Sequence, residues 1–465
     1  MKNKSAQITR KDFLKIMGMA GVSIILPKNN SDDSNEVDVN SFLSFADAAG
    51  RPKRPWWVQK VETPTVEIDW DIKKRFDATA SISGSGRNLD KYISVSEKQS
   101  IFESAERQEE KRMIDGVPGF SFLEHVLLDA ARFDTDDNSS LLGPAVTTPE
   151  ERSMPNWEGT HEEAARIVRV AMRQFGAAQV GFTYLDENTK KLIYSVDRDG
   201  KELVFEDVDR AYETDKKRVI PEKAKWVISY TLRLSIENMK HAPSMITDIA
   251  TMTGYSRSRY VQNHTQAFIA GLGYQCVGQV PANGLGLAVA FGVLAGHGEL
   301  SRLNRIITPE YGPMVQTFLL ITDLPVATDQ PIDAGIMEFC KVCKKCAETC
   351  PAGALSREDE PTWEIQGGWS NPGHRAYFED SVACISYWKE VGSSCSICFS
   401  VCPFSKKDKA WIHSWIKAGV AVAPLLDGFY RSMDDAMSYG AQKNVEEWWY
   451  IDLPEFGLDS DEKKG

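Results

Sequence analysis

The chain has 465 residues, a formal net charge of −12, 42% hydrophobic residues and 26% charged ones. That length suffices for two or three packed units, and the acidic excess excludes a broad nucleic-acid footprint. No run of eighteen apolar residues occurs, so no segment reads as a bilayer-spanning helix.

In chain order, Lys2, Lys4, Arg10, Lys11 and Lys15 precede an uncharged stretch at 16–26. This arrangement reads as a signal peptide rather than a fold element. The run Thr9-Arg10-Lys11-Asp12-Phe13-Leu14-Lys15 resembles the twin-arginine export signal, with Lys11 in place of the second arginine. A polar, disordered stretch is expected at 29–40, and Ala46-Asp47-Ala48 is a candidate cleavage site. Residues 1–48 are therefore expected to form a leader and linker, and 49–160 an N-terminal segment packing on the core. Clustered tryptophans (Trp56, Trp57, Trp70) open that segment.

Apolar spacing at Ala165, Val168, Ala171 and Met172 predicts a helix over 162–175, stopped near Gly176. Strands are expected at 178–184, 225–231, 274–280 and 315–322, with a long helix from Pro243-Ser244 to Gly271 or Gly273. Helices alternating with strands over 161–328 predict an α/β or α+β domain. In the glycine-rich stretch 283–298, Asn283-Gly284-Leu285-Gly286 lacks the G-x-G-x-x-G spacing, and no P-loop is present. These glycines suit close approach to a large planar cofactor or ordinary tight packing equally.

The cysteines carry the strongest signal. Eight of nine lie between Cys340 and Cys402, in two sets that each end in Cys-Pro. The run Cys340-x2-Cys343-x2-Cys346-x3-Cys350-Pro351 is that of bacterial ferredoxins, and Cys384 is followed by Cys395-x2-Cys398-x3-Cys402-Pro403. In two-cluster proteins the fourth cysteine of a run ligates the other cluster. One [4Fe-4S] cluster is thus expected on Cys340, Cys343, Cys346 and Cys402, and another on Cys350, Cys384, Cys395 and Cys398. Zinc would favour two separated C-x2-C pairs, and disulfides leave the doubled Cys-Pro unexplained. Residues 329–415 are expected to form the cluster module and 416–465 a C-terminal segment. Cys276, outside both sets, reads as a small buried hydrophobe.

Several stretches together resemble the respiratory reductive dehalogenases. They are the leader, Arg54-Pro55-Trp56-Trp57, Gly254-Tyr255-Ser256, Asn283-Gly284-x-Gly286, Ser301-Arg302, the run from Ile307 through Pro313, both cysteine sets and Trp411-Ile412-His413. The resemblance implies a corrinoid in a nitroreductase-like domain beside a ferredoxin-like module with two [4Fe-4S] clusters. The implied reaction is replacement of a carbon-bound halogen, chlorine foremost, by hydrogen in a small organohalide. A base-off corrinoid is implied, and none of the seven histidines stands in a D-x-H-x-x-G pattern. Tyr255 matches the proton-donating tyrosine, and Asn283 a pocket asparagine that would bond the tyrosine or the halide. Thr251, Arg302 and His413 are expected at the cofactor, and Trp56, Trp57, Trp388 and Gln316 at the substrate pocket. Where some members carry a basic residue shortly after Gly-Pro, this chain has Met314, Val315 and Gln316, which leaves Arg302 or Arg305 to partner Tyr255.

The resemblance further implies twin-arginine export, a small integral membrane anchor protein at the outer face of the cytoplasmic membrane, and an upstream respiratory electron donor. An epoxyqueuosine reductase-like enzyme is the closest rival, disfavoured by the leader and the acidic charge. An exported iron–sulfur carrier is the other, disfavoured by the length upstream of the cysteines.

Overall fold

The computed structural model describes residues 46–82, 86–132, 140–280, 283–405, 411–436, 440 and 442–458, with backbone alone over 411–415. The expected leader and most of the polar linker lie outside these residues. The candidate cleavage tripeptide is folded onto the core. Asp47 accepts from the Ala49 and Arg51 amides at 3.0 Å each, and Arg166 donates to the Ala48 carbonyl at 3.0 Å.

Two helices precede the core, α1 (Val95–Ile114) and α2 (Phe122–Arg132). Ser94 caps α1 by accepting from the Glu97 amide, yet none of its 20 residues is buried, so it carries no apolar stripe that a sequence pattern could reveal. Helix α3 (His161–Gln174) opens on a reciprocal capping box between Thr160 and Glu163. It stops at Gly176, whose φ of 103° favours glycine.

The central sheet has four antiparallel strands, β1 (Gln179–Tyr184), β2 (Trp226–Arg233), β3 (Cys276–Val277) and β4 (Val315–Thr322), in the spatial order β1-β2-β4-β3. Strands β2 and β4 pair over eight residues, from Val315 opposite Arg233 to Thr322 opposite Trp226. The period of two divides their side chains between the faces. Tyr230, Leu232, Phe318 and Leu320 pack with α3 and the 27-residue helix α4 (Met245–Gly271). Val227, Leu319 and Ile321 pack on the other face, with Phe291 of α5 (Ala288–Leu294) and with Leu203 and Ile220 of a small three-stranded sheet. Tyr230 stacks on Phe318 at 5.4 Å, and each such buried side chain is worth about 1.5–3 kcal/mol.

The architecture is therefore mixed α and β, with α3 and α4 on one face of an antiparallel sheet and α5 with the small sheet on the other. The strand expected over 274–280 shrinks to β3. Beyond it the Gly278 amide bonds the Leu141 carbonyl in place of a sheet partner. Cys276 is buried in the main core. The glycine-rich stretch is spent on packing: a Cβ at Gly286 would meet the Leu192 carbonyl, and one at Gly298 the Ile307 carbonyl. Close approach to a planar cofactor is not what these two positions provide. Among the described residues no helix is long and apolar enough to cross a membrane.

The cysteine sets lie on short helices after β4, including α6 (Ile336–Cys343) and α7 (Ser381–Val391). Asp380 caps α7 by accepting from the Ala383 amide at 3.0 Å, and Gly392, at φ 72°, ends it. Those two ends fix where Cys384 and Trp388 sit.

Candidate active site

Helix α4 positions the site. Asp248, Thr251, Tyr255, Arg259 and Gln262 line one cavity of about 590 Å³, and their spacing of three, four, four and three residues is that of a single helix face. The Tyr255 ring stands edge-on to Phe318 of β4 at 6.0 Å and 81°, which fixes it between sheet and cavity. The Thr251 hydroxyl donates to the Thr247 carbonyl at 3.1 Å. A separate wall comes from the segment between Cys384 and Cys395, through Ile385, Trp388, Lys389, Ser393 and Ser394. Tyr255, Thr251 and Trp388 are thus brought to one cavity.

The remaining expected pocket residues stand elsewhere. Trp57 is buried in the core around the first cysteine run, with Leu303, Ile336 and Cys340, while Trp56 is exposed. Neither lines the cavity, because the segment carrying them packs on the cysteine module. Gln316 reaches α4 from the sheet, donating to the Thr251 carbonyl at 3.1 Å. Its amide fills the space a Cβ at Gly254 would need, so it supports the tyrosine helix without facing the cavity. Asn283 also lies off the lining; it adopts φ 62°, and its buried Oδ1 has no hydrogen-bond partner among the described residues. The side chain of His413 lies outside the described residues.

Arg302 is 1% exposed and donates to the carbonyls of Cys340, Ser356 and Glu358 at 2.9, 2.7 and 2.8 Å. It lies over the Tyr377 ring at 3.9 Å. It therefore braces the first cysteine run rather than a cavity-bound cofactor or Tyr255. Arg305 is held by Glu379 at 2.9 Å, which raises its pKa further. Neither is the basic partner of Tyr255. Cations do line the cavity (Arg87, Arg132, Arg198, Arg259 and Lys389) against three acids, Glu106, Glu109 and Asp248. Sequence reasoning missed Asp248, Arg259 and Gln262, although their spacing from Tyr255 was a readable signal.

Burial pushes the Asp248 carboxyl up to about 6, against the hydrogen bonds from Ser394. Gln279 is buried in the cavity wall, and its acceptor Oε1 has no hydrogen-bond partner among the described residues.

The eight clustered cysteines are unpaired thiols in two electrostatic neighbourhoods. Burial, then the charges of Cys340, Cys346 and Cys343, raises the Cys402 thiol. Burial, Glu379 and the charges of Cys350 and Cys395 raise Cys384 to about 12. Cys398 is raised by burial and then by Cys346, Cys384 and Cys395, so the two neighbourhoods adjoin. Thiols so placed ionise only against a strong local cation. Among the described residues no three donors converge tightly enough for one metal ion. A single zinc would need all its donors about 2.3 Å from one point, whereas a four-iron cube spreads its thiolates around a larger body. The donor set fits iron–sulfur clusters. The cavity, with an orphaned buried acceptor and a volume inside the roughly 300–1,000 Å³ of cofactor sites, fits an organic cofactor.

Comparison with known proteins agrees with this division. Residues 53–326 match the family model "Reductive dehalogenase subunit", and 339–405 match "4Fe-4S double cluster binding domain". The chain is 30% identical to the trichloroethene reductive dehalogenase of Dehalococcoides mccartyi, covering 98% of each chain. It is 35% identical to the tetrachloroethene reductive dehalogenase of Sulfurospirillum multivorans over 64% of this chain and 61% of that one. A solved reductive dehalogenase, described with a mechanism for B12-dependent dehalogenation, shares the fold at TM-score 0.60 and 19% identity, over 85% of this chain and 52% of that one. The chain thus spans about half the length of that solved relative. With two adjoining cysteine neighbourhoods, the second sharing its segment with a cofactor-sized cavity, and a family match that covers more than half of its length, the chain belongs to the reductive dehalogenase family, oxidoreductases that act on carbon–halogen bonds.

Proposed function

We propose that this protein reductively dehalogenates a small chlorinated hydrocarbon, chloroethenes foremost, in organohalide respiration. The observation that carries this reading is Tyr255 on the wall of a cavity that shares Trp388, Ser393 and Ser394 with the second cysteine segment. The relatives named for tri- and tetrachloroethene support the substrate class.

The cavity would hold the corrinoid, expected base-off from the family resemblance, and the cofactor when bound would supply the reductive chemistry that breaks the carbon–halogen bond. The residues of this chain do the rest. Two electrons and one proton turn the carbon–halogen bond into carbon–hydrogen and free halide. Tyr255 gives the proton from its phenol oxygen to a strongly basic carbon. Arg259, one turn further along α4 and buried, supplies positive charge on the same wall for the phenolate left behind, the role sought from Arg302 or Arg305. Trp388, Phe318 and Met252 provide the apolar surface that draws a halocarbon out of water. Cys340, Cys343, Cys346 and Cys402 would hold the cluster farther from the cavity, and Cys350, Cys384, Cys395 and Cys398 the nearer one. The second set's connecting segment lines the cavity, so its cluster would be the one to supply electrons there. Export by the twin-arginine route, on the leader's pattern, and a small membrane anchor and an upstream respiratory donor, on the family resemblance, complete the proposal.

Halide release from anaerobically prepared, corrinoid-loaded protein with reduced viologen tests it. Chloride from chloroethenes above a free-corrinoid control is the expected result. Silence across chloroethenes, chloroalkanes and chloroaromatics, with clusters and cobalt both present, would exclude the reaction.

A further inference from the structure

The cavity wall contains a buried carboxylate that the proton-transfer step leaves unused. Asp248 is 6% exposed, two turns of α4 before Tyr255. Its Oδ1 accepts the Ser394 amide at 2.9 Å and also the Ser394 hydroxyl. Ser394 immediately precedes Cys395, and the Ser393 hydroxyl accepts from the Cys395 amide at 3.3 Å. The carboxylate is thereby tied to a ligand loop, and its negative charge is felt at Cys395. Around it, Arg132 opposes that charge and Glu109 adds to it.

Burying a carboxylate is costly unless donors satisfy it, and two donors from one residue fix its orientation as well as satisfying it. A cubane's reduction potential follows the net charge and hydrogen bonding around it. An electron placed beside a fixed negative charge in a poorly screened interior meets Coulomb repulsion.

We infer that Asp248 is a positioning residue for redox: clamped by Ser394, its charge holds the potential of the cluster on Cys350, Cys384, Cys395 and Cys398 low, so that electrons leave that cluster toward the cavity. The inference rests on the two-cluster reading above. It concerns a charge fixed by helix α4, so the tyrosine helix also sets the driving force of the electron donor beside it.

Redox titration of the reconstituted protein, followed by electron paramagnetic resonance, tests the inference without turnover. Asp248→Asn keeps an acceptor for Ser394 but removes the charge. It is expected to shift the midpoint of the second cluster upward and leave the first cluster's midpoint in place. Arg132→Gln, which removes the opposing cation, is expected to shift the second midpoint downward. An iron-replete Asp248→Asn protein with an unmoved midpoint overturns the inference. If that variant fails to hold iron, Arg132→Gln decides: a downward shift upholds the role of local charge, and an unmoved midpoint removes it. Wild-type protein that shows no cluster signals would overturn the cysteine assignment itself, which separates that failure from failure of Asp248.

Discussion

The two cysteine neighbourhoods use the same donor type in unlike surroundings. The first sits in an apolar core of Trp57, Leu303, Phe339 and Phe404, where the two phenylalanines meet edge to face at 5.5 Å. Its polar support is the guanidinium of Arg302, spent on backbone carbonyls. The second shares its segment with a cavity lined by cations and acids and has Arg305–Glu379 and Asp248–Ser394 beside it. Potential depends on charge, hydrogen bonding and solvent, so two chemically identical clusters held here would not be electrically identical. A buried carboxylate stands near each set. Asp248 is satisfied by Ser394, whereas both oxygens of Asp427 are buried without a partner among the described residues, and burial, with the charge of Glu338 on α6, pushes its carboxyl up to about 7.

The sharpest break in the comparison is Tyr255→Phe. If chemistry belongs to the cavity side alone, halide release falls by about 10²–10⁴-fold while iron content and both cluster signals persist. Near-normal turnover would remove Tyr255 from the mechanism. Next come the crossed fourth ligands. Cys402→Ser should cost the first cluster and Cys350→Ser the second, each losing roughly half of the bound iron by the two-cluster rule; the opposite pairing of spectra would uncross them. Arg302→Met should strand the carbonyls of Cys340, Ser356 and Glu358, destabilising the protein by about 1–3 kcal/mol or more. Its first cluster should bleach before its second on mild denaturation, and simultaneous loss would argue against a local brace.

The smallest effect concerns Asp427→Asn. A carboxyl whose folded pKa is raised from 3.8 to about 7 favours folding below the unfolded value, and that advantage is lost as pH rises through 7. The variant should therefore gain stability at pH 8, by about 1–3 kcal/mol, and gain little at pH 4. Equal thermal midpoints for variant and wild type at pH 8 would show that the carboxylate finds water or a cation.

Much of this was legible in the sequence, for physical reasons that also mark where legibility stopped. The strand 315–322 was expected at the bounds β4 shows, and the helix over 162–175 differs from α3 by one residue at each end. In both cases burial of one or both faces writes the period into the composition. Helix α1 was missed because none of its residues is fully buried. Cysteine spacing announced its chemistry because cluster geometry constrains it locally. Trp56, Trp57, Arg302, Gln316 and Asn283 were placed by resemblance, and which wall each faces depends on tertiary packing that a motif does not encode. Asp248 and Arg259 had the converse fate: nothing in their identity singled them out, and only the face they share with Tyr255 does.

That face has a geometric consequence. Asp248 and Tyr255 are seven residues apart on one unbroken helix, about 10 Å along its axis. The helix is in effect a ruler with an angular scale, since each residue advances the side-chain direction by about 100°. One inserted residue between them would swing the phenol off the cavity, with every hydrogen bond of the Asp248–Ser394 clamp left intact. Evolution can vary the walls of this cavity residue by residue, but the length of α4 between these two positions can change only in whole turns.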